Sequence, residues 1–317
     1  MLRPRLSPPG GPTAYHPAVA DRTDTPLVSV VVRTKDRQEE LIEALASIVA
    51  QSHRPLEVVM VNDGGGPVDR AMQTADRAVP VTLVHHPISR GRAAAANAGV
   101  AAAKGEWIAF LDDDDLFLPG HLTAVLGAAR AVGAQVAYAG CRLERPGQPP
   151  EVLAVPFDRE GLRLANFVPT CAVVIARAAL ARTGGFDESL PFLEDWELWL
   201  RLAQHHEFAF TPEVTSVYRV RPGTVGGEMA AERWQAMERL FARHWDGITP
   251  SGLTARLSRL ERDIADWRDR ALAAEAEATR QRQENRFVRD LADAGLLPLV
   301  SRLHRLVVRL RRRGAGA

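Results

Sequence analysis

Short runs of branched apolar residues recur along the first half of the chain at intervals that a helix would fill: LVSVVV at 27–32, EVVMV at 57–61, VTLV at 81–84, WIAFL at 107–111 and QVAYA at 135–139. Most are apolar almost throughout rather than alternating, the pattern of strands buried on both faces. Between them, Leu41, Leu45 and Ile48 recur at helical spacing, and 92–103 and 119–131 read as helices. Strands buried on both sides and joined by helices form a largely parallel sheet with helices on each face, so the expected class is α/β.

The alternation loosens after residue 140. RPGQPPEV is a turn-rich connection, CAVVIA a further strand, EDWELWLRLAQ a short helix and VTSVYRV a last strand. Residues 1–26, rich in Pro and Gly and without periodicity, read as a disordered leader; 27–245 read as the main domain, and 246–317 as a helical C-terminal extension. That extension ends in a basic amphipathic helix. Leu299, Leu303, Leu306 and Leu310 share one face, six arginines fall from Arg302 to Arg313, and no acid follows Asp293. Such a helix suits an anionic membrane surface through 298–313; docking on the domain itself or on a second subunit is the alternative.

Lys+Arg 40 against Asp+Glu 39 leaves a net charge of +1, so no bulk field argues for nucleic acid. Cys141 and Cys171 are too few for a disulfide framework and lack zinc spacing. Both are expected as buried thiols in a reducing, cytoplasmic setting, with peripheral attachment to the cytoplasmic face of a membrane the alternative to a free protein. No stretch of about 18 apolar residues is present to span a bilayer.

WIAFL runs directly into Asp112, Asp113, Asp114 and Asp115. Adjacent carboxylates at the end of a buried strand repel one another and lose hydration, so a cation or a set of hydrogen-bond donors must offset the cost. Ligands of open α/β sheets bind just beyond the carboxyl ends of strands. Asp112 and Asp114, at alternate positions, can turn their oxygens toward one point, and hard oxygen ligands suit Mg²⁺ or Mn²⁺ holding a diphosphate. The offsetting charge is accordingly expected to arrive with a substrate rather than from the chain. The other reading is an acidic turn in which Asp115 merely faces the dipole of the next helix. No G-x-G-x-x-G follows the first strand and no G-x-x-x-x-G-K-[ST] occurs, which leaves phosphate to metal and arginine.

VSVVVRTKDR at 28–37, PLEVVMVNDGG at 55–65, RGRAAAANAGVAAAKGEWIAFLDDDD at 90–115 and GGFDESLPFLEDWELWLRLA at 184–203 together resemble the family-2 nucleotide-sugar glycosyltransferases of the GT-A fold, over residues 27–221. The resemblance implies a Rossmann-like, mostly parallel sheet flanked by helices. It further implies an inverting transfer from a UDP-, dTDP- or GDP-linked sugar to a hydroxyl of a glycan, lipid-linked or other acceptor, with Mn²⁺ or Mg²⁺ on the diphosphate. Carried over, Arg33, Thr34, Lys35 and Asp36 would line the nucleotide pocket and Asp63 would meet the base. Asp112 or Asp113 would lie near the ribose, and Asp114, with Asp112, would hold the metal. Ala96 stands where an arginine is common, so Arg90 or Arg92 would bring positive charge to the diphosphate; a solvated pair at a helix start is the alternative.

The same resemblance places the general base of the transfer on Glu194 and Asp195, with Asp195 the usual base. Asp195 as the N-cap of the following helix, and Glu194 as the base beside it, stay open. Two other functions compete: an aspartate-based, Mg-dependent phosphohydrolase with Asp112 as nucleophile and Asp114 as acid, and a non-catalytic, membrane-associated scaffold of the same fold.

Overall fold

The computed structural model describes residues 25–75, 78–220, 231–244 and 280. The expected leader and C-terminal extension lie almost wholly outside these residues, and the basic helix lies entirely outside them. No helix among the described residues is long and apolar enough to cross a membrane.

The chain begins with β1 (Val28–Thr34), α1 (Gln38–Val49), β2 (Leu56–Asp63), α2 (Asp69–Ala75), β3 (Val81–His86), α3 (Arg92–Ala102) and β4 (Trp107–Asp112). It continues through β5 (Leu116–Phe117), α4 (His121–Val132), β6 (Val136–Glu144), β7 (Glu151–Leu153) and α5 (Arg159–Leu162). The last described elements are β8 (Val173–Ala176), α6 (Arg177–Thr183), α7 (Glu194–Ala203), β9 (Phe208–Arg219) and α8 (Ala231–His244).

All strands among the described residues join one sheet in the order β3-β2-β1-β4-β8-β6-β9-β5, with β7 on the side of β6. The β3-β2-β1-β4 half is parallel throughout, as the apolar runs predict. The other half is mixed: β8 enters antiparallel between β4 and β6, β9 pairs with β6 in parallel, and β5 turns back along β9. CAVVIA is thus a strand only from Val173, and it runs against its neighbours.

β1 and β2 are buried at every position, and their residues alternate between two cores. Val30, Val32, Leu41, Leu45, Leu122 and Val125 pack on one face, beneath α1 and α4; Val31, Val59, Ala96, Phe110 and Trp199 pack on the other, beneath α3 and α7. The alanine-rich α3 can lie close to the sheet because its side chains are small, and at Gly99 closeness becomes a requirement: a Cβ there would stand 2.3 Å from Val31 Cγ1. Cys141 and Cys171 are free and buried, as expected, with their sulfurs 3.9 Å apart. Trp196 and Trp199 are both buried, and their indole N–H groups donate to the carbonyls of Leu162 and Val168, tying α7 to the segment before β8.

Candidate active site at the carboxyl edge of the sheet

The strand order runs outward from β1 to β2 and β3 on one side and to β4 on the other, so the crevice between β1 and β4 is the topological switch point of the parallel half. Arg33 near the end of β1 and Asp112 at the end of β4 are register partners there. Two cavities open around them. One, of about 240 Å³, is lined by Thr34, Lys35, Arg37, Asp63, Ser89 and Gly91 among others; the second, of about 480 Å³, by Asn166, Thr170, Glu194, Asp195 and Tyr218 with an apolar wall that includes Leu143, Leu164 and Met237. Arg33, Arg92, Asp112 and Asp114 line both.

The cation that the acidic run requires comes from the chain itself, which corrects the expectation that it arrives with a substrate. Arg33 Nε donates to Asp112 Oδ1 at 2.7 Å and Nη2 to Asp112 Oδ2 at 2.8 Å. Arg37 Nη1 donates to Asp113 Oδ1 and to Asp114 Oδ2, each at 2.9 Å. Burial opposes ionisation of Asp112, but Arg33, with Arg92 and Arg37, outweighs it and holds the carboxyl below its ordinary pKa. Burial opposes charge on Arg33 as well, yet Asp112 and Glu194 raise its pKa further. Asp113 goes the other way: burial, with Asp112 and Asp114 beside it, pushes it up to about 6 against the pull of the Thr34 hydroxyl and Arg37.

Asp115 is not a helix cap. It is buried, its pKa is raised well above the carboxylate range by burial and by Asp112 and Asp114, and its Oδ1 accepts the Arg219 backbone N–H at 3.0 Å, fastening β9 to the end of β4. The next helix, α4, starts only at His121, capped by Gly120.

Asp63 ends β2 with its acceptor sites filled. Oδ1 meets His86 Nδ1 at 2.7 Å and accepts the Arg90 N–H at 2.9 Å; Oδ2 accepts from the Ser89 hydroxyl at 2.7 Å and the Gly91 N–H at 2.9 Å. Burial alone would raise this carboxyl; these donors bring it down to about 2. Its visible work is to shape the turn into α3, which leaves little capacity for the base expected there.

On the opposite rim, Leu193 precedes α7 in the left-handed region, φ 63°, uncommon for a bulky residue, and delivers Glu194 and Asp195 to the larger cavity. Leu193 is the N-cap, so Asp195 is not. Glu194 Oε1 accepts from Arg33 Nη1 at 3.2 Å; burial raises its pKa, Arg33 pulls it down and Asp195 adds to the rise. Asp195 has neutral partners: Oδ2 accepts from Asn166 Nδ2 at 3.0 Å and Thr170 Oγ1 at 3.3 Å, and Oδ1 from the Trp196 N–H. Burial, with Asp115 adding, raises the pKa of the nearby Tyr218 phenol.

Of the residues singled out in the sequence, Arg33, Thr34, Lys35, Asp63, Arg92, Asp112, Asp113, Asp114, Glu194 and Asp195 converge on the two cavities. Asp36 and Arg90 do not. Asp36 takes a left-handed φ of 57° and accepts the Gly66 N–H, locking the loop after β2. The Arg90 side chain reaches Glu188 at 3.5 Å, and only its backbone serves the site, through Asp63. Asp112, expected as a second metal ligand, has both oxygens in the grip of Arg33. Arg37, Asn166, Thr170 and Tyr218 belong to the site without having been assigned to it. Arg37 carried a signal, a cation next to a strand end; Asn166 and Thr170 sit in NFVPT, which has no pattern.

Among the described residues no group of three or more His, Cys, Asp and Glu can hold a metal ion by itself. A divalent ion here would need oxygens from outside the chain, as Mg²⁺, which takes substrate phosphates and waters, commonly does.

Residues 29–188 match the profile of Glycosyl transferase family 2, and residues 162–236 that of Glycosyltransferase like family 2. An uncharacterized glycosyltransferase, YwdF of Bacillus subtilis (strain 168), is 28% identical over 233 residues, 71% of this chain and 86% of its own. Among solved structures, residues 1–349 of S. aureus TarS in complex with UDP-GlcNAc superpose with a TM-score of 0.57 at 16% identity, covering 74% of this chain and 72% of that one. The mannosyltransferase PcManGT from Pyrobaculum calidifontis, in complex with GDP-Man and Mn²⁺, superposes with a TM-score of 0.56 at 22% identity, covering 81% and 76%. With half of its length matched by the first profile and its sheet shared with these transferases, the chain belongs to glycosyltransferase family 2 and has the GT-A fold.

Proposed function

We propose that the chain transfers a sugar, with inversion, from a nucleotide-diphospho-sugar to a hydroxyl of a glycan or lipid-linked acceptor, with Asp195 as the base. The observation that carries this reading is the meeting of two cavities at Arg33, Arg92, Asp112 and Asp114, with the acidic run on one rim and Asp195 on the other. A donor spanning the junction would keep its nucleotide beside Thr34, Lys35 and Asp113, its diphosphate near Asp114 and the exposed Arg92, and its sugar facing Asp195. One structural neighbour holds UDP-GlcNAc and the other GDP-Man with Mn²⁺, which supports donors of the UDP or GDP type.

Mn²⁺ or Mg²⁺, held by Asp114 together with the diphosphate, would supply Lewis-acid stabilisation of the departing phosphate. The chain does the rest. Asp195 takes the proton of the acceptor hydroxyl as that oxygen attacks from the face opposite the nucleotide. It is better placed than Glu194, because the Glu194 carboxylate is engaged by the Arg33 guanidinium at 3.2 Å, whereas Asn166 and Thr170 orient the Asp195 carboxylate toward the larger cavity. Arg33 fixes Asp112 and Glu194 relative to each other and so sets the spacing of the two rims. If a base is read by Asp63, the Ser89 hydroxyl is the one donor of its four that can turn away by a simple rotation.

An Asp112-based phosphohydrolase is weaker, since a nucleophile needs an available oxygen and Arg33 takes both. The test is a screen of UDP-, dTDP- and GDP-sugars for transfer and hydrolysis, with Mn²⁺ and with EDTA. Turnover that EDTA leaves untouched would remove the metal from the proposal, and phosphate-monoester hydrolysis without sugar transfer would replace it.

A further inference from the structure

We infer that Arg37 is an exchangeable counter-cation: it holds Asp113 and Asp114 before the donor binds, then yields Asp114 to the divalent ion and turns to the diphosphate. The inference rests on the metal-diphosphate reading above and adds to it a residue that couples the two ligands.

Arg33 and Arg37, which both bond the acidic run, are not equivalent. The Arg33 side chain is 9% exposed, and its fork takes both oxygens of Asp112 while Nη1 serves Glu194 and the Arg92 carbonyl. Its departure would strand the buried Glu194 and the half-buried Asp112, so it stays. The Arg37 side chain is 37% exposed, and a single nitrogen, Nη1, makes both of its carboxylate contacts, at 2.9 Å each. That arrangement lacks the paired parallel bonds that make an arginine fork strong. Arg37 also stands just ahead of α1, with backbone φ −133° and no side-chain cap bond, so no helix face confines its side chain.

Position makes Arg37 a competitor. A guanidinium nitrogen 2.9 Å from oxygens of both Asp113 and Asp114 occupies the point on which a hard cation at Asp114 would converge. The ion and the guanidinium cannot both sit there, so binding the ion alone costs Arg37 its bond to Asp114 and leaves it with Asp113. A diphosphate changes this balance. Arg37 and Arg92 line the same cavity, and a phosphate oxygen entering it offers Arg37 a partner in exchange for Asp114. Ion and nucleoside diphosphate should therefore bind with positive coupling, each raising the affinity of the other by the same factor.

Titration of Mn²⁺, followed by the electron paramagnetic resonance signal of the free ion, tests this on the full chain. Wild type, Arg37→Gln and Arg37→Lys are compared with no nucleotide and with UDP, dTDP or GDP at saturation. Arg37→Gln should bind Mn²⁺ alone about tenfold more tightly than wild type or better, and the further tightening by nucleotide should shrink. Arg37→Lys keeps the charge and should stay near wild type. Circular dichroism melts verify that each variant is folded; if Arg37→Gln is not, a normal Arg37→Lys together with an Arg37→Met that is folded must show the same contrast. Mn²⁺ affinity in the charge-removed variant equal to or weaker than wild type overturns the inference alone. If no protein binds Mn²⁺ even with nucleotide, the metal-diphosphate reading falls and the inference with it.

Discussion

Arg33 and Asp112, 79 residues apart in the chain, face each other across β1 and β4, and the guanidinium takes both carboxylate oxygens at 2.7 and 2.8 Å. The same side chain reaches Glu194 at 3.2 Å, so one buried cation serves a half-buried anion, Asp112, and a buried one, Glu194. Removing the cation takes from both carboxylates their nearest positive charge, and Arg33→Met should cost about 3–5 kcal/mol of unfolding free energy. The double change Arg33→Met, Asp112→Leu should recover part of that loss. Urea unfolding at constant m-value measures both; a loss below about 1 kcal/mol for Arg33→Met would mean the pair behaves like a solvated surface bridge.

Asp63 predicts a response to acid. Four donors hold its folded carboxyl at about 2, although burial alone would raise it. Because the folded value lies below the roughly 3.9 of an unfolded aspartate, the group adds stability that is complete above that pH and fades as pH falls toward 2. The stability difference between wild type and Asp63→Asn should be largest near neutrality and shrink through that window. Unfolding curves at a series of acidic pH values decide it, and a difference that stays constant would contradict the assignment.

Asp113 predicts the opposite sign. Burial, with Asp112 and Asp114 adding, lifts it to about 6, so the native state holds this proton more tightly than the unfolded chain does. The associated stability is complete below the unfolded value of about 4 and is lost as pH rises through 6. Asp113→Asn, which cannot ionise, should therefore gain on wild type between those limits, and denaturation at pH near 4 and near 7 compares them. A gap of equal size at both would show that Asp113 titrates normally.

The same residues show what a sequence can and cannot disclose. β1, β2 and β4 are legible because strands buried on both faces must be apolar, and α7 because Trp196, Leu200 and Ala203 repeat at helical spacing. An apolar run carries no direction, so nothing in CAVVIA says that β8 runs against β4. The acidic run is legible as a demand for a cation, but the supplier is set by register: once β1 and β4 are neighbours, Arg33 must meet Asp112. The place of Asp36 depends on its positive φ, a property of the turn that no residue pattern discloses, and its carboxylate meets the Gly66 N–H. Asn166 and Thr170 come to Asp195 from a segment without periodicity, through tertiary proximity alone.

Asp195 and Glu194 give the sharpest functional contrast, because they are adjacent in sequence and differ in what surrounds them. The Asp195 carboxylate is held by an amide and a hydroxyl at 3.0 and 3.3 Å, donors that fix its direction and leave its charge available for a proton. The Glu194 carboxylate faces a guanidinium whose other bonds hold Asp112, so its charge is already spent on the architecture. Asp195→Asn should lower the transfer rate by about 10²- to 10⁴-fold, the usual worth of a general base, while leaving nucleotide affinity within about twofold. Glu194→Gln keeps an oxygen for Arg33 and should retain transfer within about tenfold, with its effect seen mainly in stability. Single-turnover transfer from whichever donor the screen identifies, paired with nucleotide binding by calorimetry, separates the two roles. If Glu194→Gln instead abolishes transfer while Asp195→Asn preserves it, the base is Glu194, and Arg33 must release it during the reaction.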